Sequence, residues 1–207
     1  MNGMLVAFEG PDASGKSTLS IKLEEKLTLI GIKSKRFYFP SDMPTGHAIR
    51  QVISNKNISK HYNWKSMSML FIADMIGKFR SDINKFIESG GIAITDRYIG
   101  STLAYQTFMN GQKDESIRFI QHLREELPDS DITFFTSCDS ETTIRRLMKR
   151  STVDSYESKI IEHIGEFVEH YTESVKLCSK RVVHVSTDED VDSSVEKCVN
   201  IIKQFHS

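Results

Sequence analysis

The chain has 207 residues, with 27 Lys and Arg against 28 Asp and Glu, a net charge of -1, and 39% apolar and 27% charged residues. That length suits one domain, or one core with a small lid, and can bury a sizeable interior. The balanced charge gives no electrostatic footprint for nucleic acid, and no apolar run reaches membrane-spanning length.

The first strand follows so closely on the N-terminus that no room is expected for a signal peptide. Cys138, Cys178 and Cys198 are odd in number and far apart. They suggest neither a metal spacing nor a disulfide framework, and read as buried or half-buried thiols in a reducing, cytoplasmic setting.

Residues 3–9, with Met4-Leu5-Val6-Ala7-Phe8, read as a buried parallel strand. Residues 9–18, Glu9-Gly10-Pro11-Asp12-Ala13-Ser14-Gly15-Lys16-Ser17-Thr18, satisfy the phosphate-loop pattern G-x-x-x-x-G-K-[ST] without a mismatch. A helix over 15–30 follows, with Leu19, Ile21, Leu23, Leu27 and Ile30 near helical spacing and Gly31 as its stop. Glycines let successive N–H groups point into one concavity, and the helix N-terminus adds partial positive charge. The motif therefore predicts a nucleoside triphosphate held by Gly10, Ser14, Gly15, Lys16, Ser17 and Thr18. Lys16 would reach the β- and γ-phosphates, and the Ser17 hydroxyl would bind Mg²⁺.

Ser34 to Phe39 reads as a second strand, ended by Pro40, which has no ladder donor. Ser41 to Gly46 is a turn-rich connection, Ala48 to Ile53 a short helix and Asn55 to Asn63 a polar loop. Trp64 to Ser89 is predicted as one long helix, with a stripe that includes Met67, Leu70, Phe71, Met75, Phe79 and Ile83. Met69, Ile72 and Ile76 give it a second apolar face, fit to meet another subunit. Ile92 to Thr95 is the third strand. Asp96-Arg97-Tyr98 stands at its carboxyl end, where open α/β sheets place their ligands.

Ser101 to Met109 and Glu115 to Leu127 are predicted helices, and Ile132 to Phe135 a fourth strand. A basic helix, Ser140 to Lys149, leads through a polar connection to a long amphipathic helix, Tyr156 to Ser179. Val182 to Val185 is the fifth strand and Val191 to Phe205 the last helix. Strands alternating with helices predict an α/β fold: a five-stranded parallel sheet with right-handed crossovers and helices on both faces.

Four segments, in order, carry a family resemblance: Phe8 to Thr18, Phe39-Pro40, Leu70-Phe71-Ile72-Ala73-Asp74, and Asp96-Arg97-Tyr98-Ile99-Gly100-Ser101-Thr102-Leu103-Ala104-Tyr105-Gln106. A weaker fifth is Arg146 and Arg150 followed by Asp154-Ser155-Tyr156-Glu157. With these segments the chain resembles thymidylate kinase along almost its whole length. The resemblance implies a three-layer sandwich of the phosphate-loop NTPase kind, one domain over 1–207 with a short lid near 146–157. It implies transfer of the γ-phosphate of ATP to thymidine monophosphate, on the route to thymidine triphosphate, and a homodimer through the helix 64–89.

The resemblance also implies residue roles. Arg97 would hold the acceptor phosphate, since a planar fork suits it better than a point charge. Asp12 would accept the 3′-hydroxyl of the acceptor sugar, and Asp96 would orient Mg²⁺ through water. Phe71 would stack on the base, Gln106 would bond its edge and Tyr105 would pack beside the sugar. Phe39, Ser101 and Tyr156 complete the acceptor site. Arg146 would contact ATP, and Arg146 and Arg150 would close over the transferring group.

Three departures qualify this. Met75 stands where the family has a base-contacting arginine. Tyr38 stands before Phe39-Pro40 where the family has an acceptor-phosphate arginine, leaving Arg36 or Arg50 to serve. Ala13 and Ser155 occupy the two places of the catalytic arginine, which leaves Arg150. A kinase for another deoxynucleoside monophosphate therefore stays open, as does a pseudo-kinase. A deoxynucleoside kinase would need a general base after strand two, where this chain has Phe39-Pro40-Ser41. A GTPase-like module would need Asn-Lys-x-Asp, and Asn55-Lys56-Asn57 lacks the aspartate.

Overall fold

A computed structural model of the chain describes residues 3–110, 113–148, 160–188 and 190–205. The main elements run β1 (Met4–Glu9), α1 (Lys16–Leu29), β2 (Ser34–Tyr38), α2 (Pro44–Ser54), α3 (Lys56–Ser59), α4 (Trp64–Lys78), a π-helical turn (Phe79–Ile83) and α5 (Asn84–Glu88). They continue with β3 (Ile92–Asp96), α6 (Ile99–Asn110), α7 (Lys113–Leu123), β4 (Ile132–Ser137), α8 (Ser140–Met148), α9 (Ile164–Lys176), β5 (Val182–Ser186) and α10 (Val191–Phe205).

β1 is buried along its whole length, which its unbroken apolar run requires. Met4, Val6 and Phe8 face one way and pack with Leu19, Leu23 and Leu27 of α1 and with Val195 and Val199 of α10. Leu5 and Ala7 face the other way, against Ile72 and Met75 of α4 and Leu103 of α6. Strand residues alternate between faces, so one segment anchors both helical layers. Phe8 and Phe134 pack across the strands with ring centroids 5.3 Å apart.

Among the described residues five strands form one parallel sheet in the order β2-β3-β1-β4-β5. Val6 pairs with Ile94 on one side and Ile132 on the other. The winding reverses on either side of β1, and such a switch point opens a crevice beyond the carboxyl ends of the central strands. Glu9 and Asp96 end β1 and β3 at that crevice.

The five strands and the α/β alternation match the sequence expectation, and several boundaries differ. α2 begins at Pro44, not Ala48, because proline suits the first helical position. Gly46 lies inside this helix for close approach: a Cβ there would sit 2.1 Å from the Ser41 carbonyl oxygen. The polar stretch 55–63 contains the short α3, capped by the Asn55 side chain. The long helix starts at Trp64 as expected, behind a capping box of Asn63 and Ser66. It then passes through the π-helical turn, whose extra residue leaves Ile83 buried in the same core as Ile72 and Met75. The predicted 156–179 helix is represented by Ile160–Glu162 and by α9, separated by a turn at His163. Residues 149–159, which hold most of the expected lid, lie outside the described residues.

The thiols are placed as expected: Cys138 is half-buried, and Cys178 and Cys198 are buried and unpaired. Burial pushes the Cys198 thiol up to about 12. No helix among the described residues is long and apolar enough to cross a membrane.

Asp74 of α4 fixes the connection after β2. Its carboxylate accepts the buried Ser41 N–H at 2.7 Å and hydroxyl at 2.6 Å, and the half-buried Thr45 hydroxyl at 2.6 Å. Replacing Asp74→Ala leaves a buried N–H without a partner. It is expected to lower unfolding stability by about 2–3 kcal/mol, read as a lower urea midpoint at unchanged slope.

Candidate active site

The loop between β1 and α1 is shaped by two glycines with positive φ, Gly10 at 143° and Gly15 at 88°. A Cβ on Gly10 would lie 2.2 Å from the Thr136 carbonyl oxygen, so only glycine lets the loop run this close to the end of β4. The Ser14 hydroxyl is buried and bonds that of Thr136 at 2.7 Å. Gly10 and Ser14 therefore anchor the loop from beneath and do not line the space above it. That space is a cavity of about 510 Å³ bounded by Gly15, Lys16, Ser17, Thr18, Asp96 and Arg146, among others.

Lys16 is buried and gives a hydrogen bond to the Pro11 carbonyl at 2.6 Å. Burial, reinforced by the nearby charge of Arg97, lowers its pKa to about 7 against the pull of Asp12, Asp96 and Glu9. Ser17 and Thr18 stand exposed at the N-terminus of α1. Arg146 reaches from α8 to the Ala13 carbonyl and to the hydroxyl and carbonyl of Thr187, each at 3.3 Å. Thr187 follows β5 and packs on Gly15; its part in the site carries no local sequence signal.

A second cavity of about 170 Å³ lies between α4 and α6 and is lined by Phe39, Phe71, Met75, Thr102, Tyr105 and Gln106, among others. Its walls are mostly apolar, and Met75 is only 1% exposed. Gln106 Oε1 and Thr102 Oγ1 are buried without a hydrogen-bond partner among the described residues. Buried oxygens in that state carry a desolvation cost that a ligand in the cavity can offset. Thr102 was not singled out from the sequence, where it looks like an ordinary helical residue.

Asp12 and Arg97 border both cavities. Arg97 has φ 68°, a left-handed conformation costing a non-glycine residue about 1–2 kcal/mol. Its N–H bonds the Phe8 carbonyl at 2.9 Å. Its guanidinium pairs with Asp12, donates to the Ser101 hydroxyl at 3.0 Å and approaches the Tyr171 hydroxyl at 3.4 Å. It also lies 5.4 Å from the Tyr105 ring centroid. Burial is the largest influence and disfavours its charge, but Asp12, Tyr105, Tyr171 and Glu9 together more than reverse this, and its pKa is pushed up. Tyr105 donates to the other Asp12 oxygen at 2.7 Å. Burial and the Asp12 charge push the Tyr105 phenol well up, so it stays a neutral donor.

Beneath Arg97 lies Glu9, fully enclosed. It accepts the N–H groups of Tyr98 and Ser101 at 2.9 and 3.0 Å and the hydroxyls of Ser101 and Tyr171 at 2.5 and 2.7 Å. Burial raises its pKa, opposed by the hydroxyl hydrogen bonds and the Arg97 charge. Sequence reasoning gave no role to Glu9 or Tyr171. A carboxylate ending an otherwise apolar strand is a legible signal that donors must surround it; Tyr171 has none.

The arginines considered for the acceptor phosphate are otherwise engaged. Arg36 pairs with Asp96 at 2.6 Å and bonds the Ser20 hydroxyl at 2.8 Å. Arg50 donates to the carbonyls of Pro40 and Ser41 at 2.7 and 2.6 Å. Arg150 and Tyr156 lie outside the described residues. No cluster of three acidic, His or Cys groups fit for a metal occurs among the described residues. Ser17 and Asp96 offer two hard oxygens, which fits Mg²⁺, an ion that keeps waters and takes its other ligands from phosphates.

Comparison with known proteins points to one family. The family model described as thymidylate kinase matches residues 8–198. The thymidylate kinase of Brachyspira hyodysenteriae is 30% identical over 207 residues, covering 99% of this chain and 95% of the relative. The probable thymidylate kinase of Sulfolobus acidocaldarius is 30% identical over 204 residues, covering 97% of each. The solved thymidylate kinase of Candida albicans superposes with a TM-score of 0.72 at 26% identity, covering 100% of this chain and 94% of that one.

The state of Lys16 has a measurable consequence. Its pKa near 7 in the open loop means that most molecules carry the neutral amine at pH 8 and the ammonium at pH 6. Phosphate oxygens favour the ammonium, so triphosphate binding takes up close to one proton at pH 8 and far less at pH 6. Calorimetry in buffers of differing ionisation heat reads this number directly; equal uptake at both pH values would contradict it.

Proposed function

The chain belongs to the thymidylate kinase family, and from that premise we propose that it transfers the γ-phosphate of ATP to thymidine monophosphate, giving ADP and thymidine diphosphate. The observation that carries this reading is the meeting of two cavities at one ion pair, Arg97 with Asp12. One cavity has the phosphate loop as its floor, and the other has the apolar walls and unpartnered oxygens that suit a base.

An oxygen of the acceptor phosphate attacks the γ-phosphorus, and the bond to the β-bridging oxygen breaks as ADP leaves. Such a transfer needs position and positive charge more than a covalent nucleophile. Lys16 leaves the Pro11 carbonyl for the β- and γ-phosphates. Arg97 turns part of its fork from Asp12 to the acceptor phosphate. Asp12, still held by Tyr105, accepts the 3′-hydroxyl. Arg146 bonds the loop and the segment after β5 and so borders the donor, with Arg150 as the further lid cation. Ser17, and Asp96 through water, would hold Mg²⁺, which when bound neutralises charge between the β- and γ-phosphates. Arg36 already offsets Asp96, so the Ser17 hydroxyl is the firmer of the two.

Phe71 stacks on the base and Gln106 bonds its edge, with Phe39 closing the wall. Ser101 acts from beneath, through Arg97. Tyr156 adds to the acceptor side. With Met75 in the pocket, thymine is read by the Gln106 amide, the Thr102 hydroxyl and apolar contact with the 5-methyl group. We further propose that the chain is one catalytic domain and dimerises through α4, whose outer face presents Met69 at 47% exposure with Ala73 and Ile76 along one side; Ile72, expected on that face, is instead buried in the core against the sheet.

In a coupled assay with Mg-ATP, thymidine monophosphate is expected to turn over faster than the other deoxynucleoside monophosphates, and thymidine itself not at all. Faster turnover of another monophosphate would overturn the thymine reading and assign the change to Met75. Arg97→Ala is expected to lower kcat/KM for the acceptor by about 10²–10³-fold. Sedimentation at micromolar concentration is expected to give a dimer; a monomer would remove the proposed α4 interface.

A further inference from the structure

Tyr171 lies 74 residues from Arg97 in sequence and belongs to another layer of the fold, yet its hydroxyl enters the cluster beneath the guanidinium. Its ring is wholly buried. Edge-on contacts with Phe135, Phe167 and Tyr105, at centroid distances of 5.4, 5.6 and 5.9 Å, fix where the hydroxyl points. The oxygen lies 2.7 Å from Glu9 Oε2, 2.5 Å from Ser101 Oγ and 3.4 Å from Arg97 Nη1.

Proton directions in this cluster follow from counting donors. The Glu9 carboxylate only accepts, and it meets two N–H groups and two hydroxyls. The Ser101 proton goes to Glu9. The Tyr171 proton goes to Glu9 directly or through Ser101. Either way both hydroxyl oxygens keep lone pairs toward Arg97 Nη1, which only donates. The other arm of the fork, Nη2, faces Asp12 and is the arm that substrate must capture.

We propose that Tyr171 is a positioning residue of the acceptor site: with Ser101 it relays the buried negative charge of Glu9 to Nη1 of Arg97, and so fixes the guanidinium plane that meets the acceptor phosphate. The proposal rests on the reading of Arg97 as the acceptor-phosphate cation. It gives α9, which packs along α6, a part in catalysis that no contact with substrate would reveal. The left-handed backbone of Arg97 fits the same purpose, since it aims the side chain back over the end of β1.

Tyr171→Phe removes one oxygen and keeps the ring contacts, so the core stays filled. Its KM for thymidine monophosphate is expected to rise about tenfold, the size of one lost hydrogen bond near a charge, while KM for ATP stays unchanged. In an Arg97→Ala background the same change is expected to move the acceptor KM by less than about twofold, because Tyr171 then has nothing to position. An equal factor in both backgrounds, or parallel rises in both KM values, would show a merely structural residue and overturn the proposal. If Arg97→Ala raises the acceptor KM and Tyr171→Phe does not, the proposal alone fails. If Arg97→Ala leaves the acceptor KM unchanged, the reading of Arg97 fails first and takes this one with it.

Discussion

A carboxylate at the end of a fully buried strand has to be met by donors, and Glu9 is met by four. They come from two parts of the chain: the Tyr98 and Ser101 amides with the Ser101 hydroxyl at the start of α6, and Tyr171 of α9. Leaving that charge unmatched would cost far more than any single surface contact contributes. The requirement therefore joins the β3–α6 corner and α9 to the end of β1, where the phosphate loop begins. The same corner holds Arg97 in its left-handed conformation.

The electrostatics above this corner suit anionic ligands. Lys16, when protonated, and Arg97 are two cations close together, and Arg97 is among the causes that lower the Lys16 pKa. Asp12, Asp96 and Glu9 hold the pair together while the site is open, and Arg36 in turn neutralises Asp96. Each acid keeps a basic partner in place, so little positive charge is left unscreened by neighbours. Phosphates entering both cavities would compete with Asp12 for Arg97 and with the Pro11 carbonyl for Lys16. The open state thus keeps its cations aimed without paying the full cost of burying them alone.

Much of this was legible in the sequence, wherever the signal is local. The phosphate loop, its strand and its helix occupy one continuous stretch, so composition and spacing suffice to find them. Asp96-Arg97 was readable because the end of a central strand is where a parallel sheet gathers ligands. What escaped was set by contacts distant along the chain. Ser14 belongs to the motif, yet its hydroxyl faces Thr136, a partner 122 residues away. Arg36 was a candidate for the acceptor phosphate until its pairing with Asp96, across neighbouring strands, was seen. Tyr171 reads in sequence as one more apolar-face aromatic of an amphipathic helix. The π-helical turn escaped because the stripe through Phe71, Met75, Phe79 and Ile83 looks the same in sequence with or without one extra residue in the turn.

Met75 shows how far local substitution reaches. An arginine at this buried position would bring a charge into a pocket of about 170 Å³ whose other walls are mostly apolar, and a base carbonyl would be needed to meet it. Methionine removes that demand and leaves Gln106 Oε1 and Thr102 Oγ1 as buried pocket oxygens without a partner among the described residues. A hydroxyl can donate or accept, and an amide can turn either face to a base edge. If the base sits here as proposed, discrimination among bases would shift from one fixed charged donor to shape, to apolar contact beside Phe71 and to the rotation of one amide. An amide fixed by its neighbours would still select one edge, but Gln106 Oε1 has no hydrogen-bond partner among the described residues. On the proposed reading the base itself would supply the bond that sets the amide's orientation, which would make selectivity at this pocket a property of the bound complex more than of the open one.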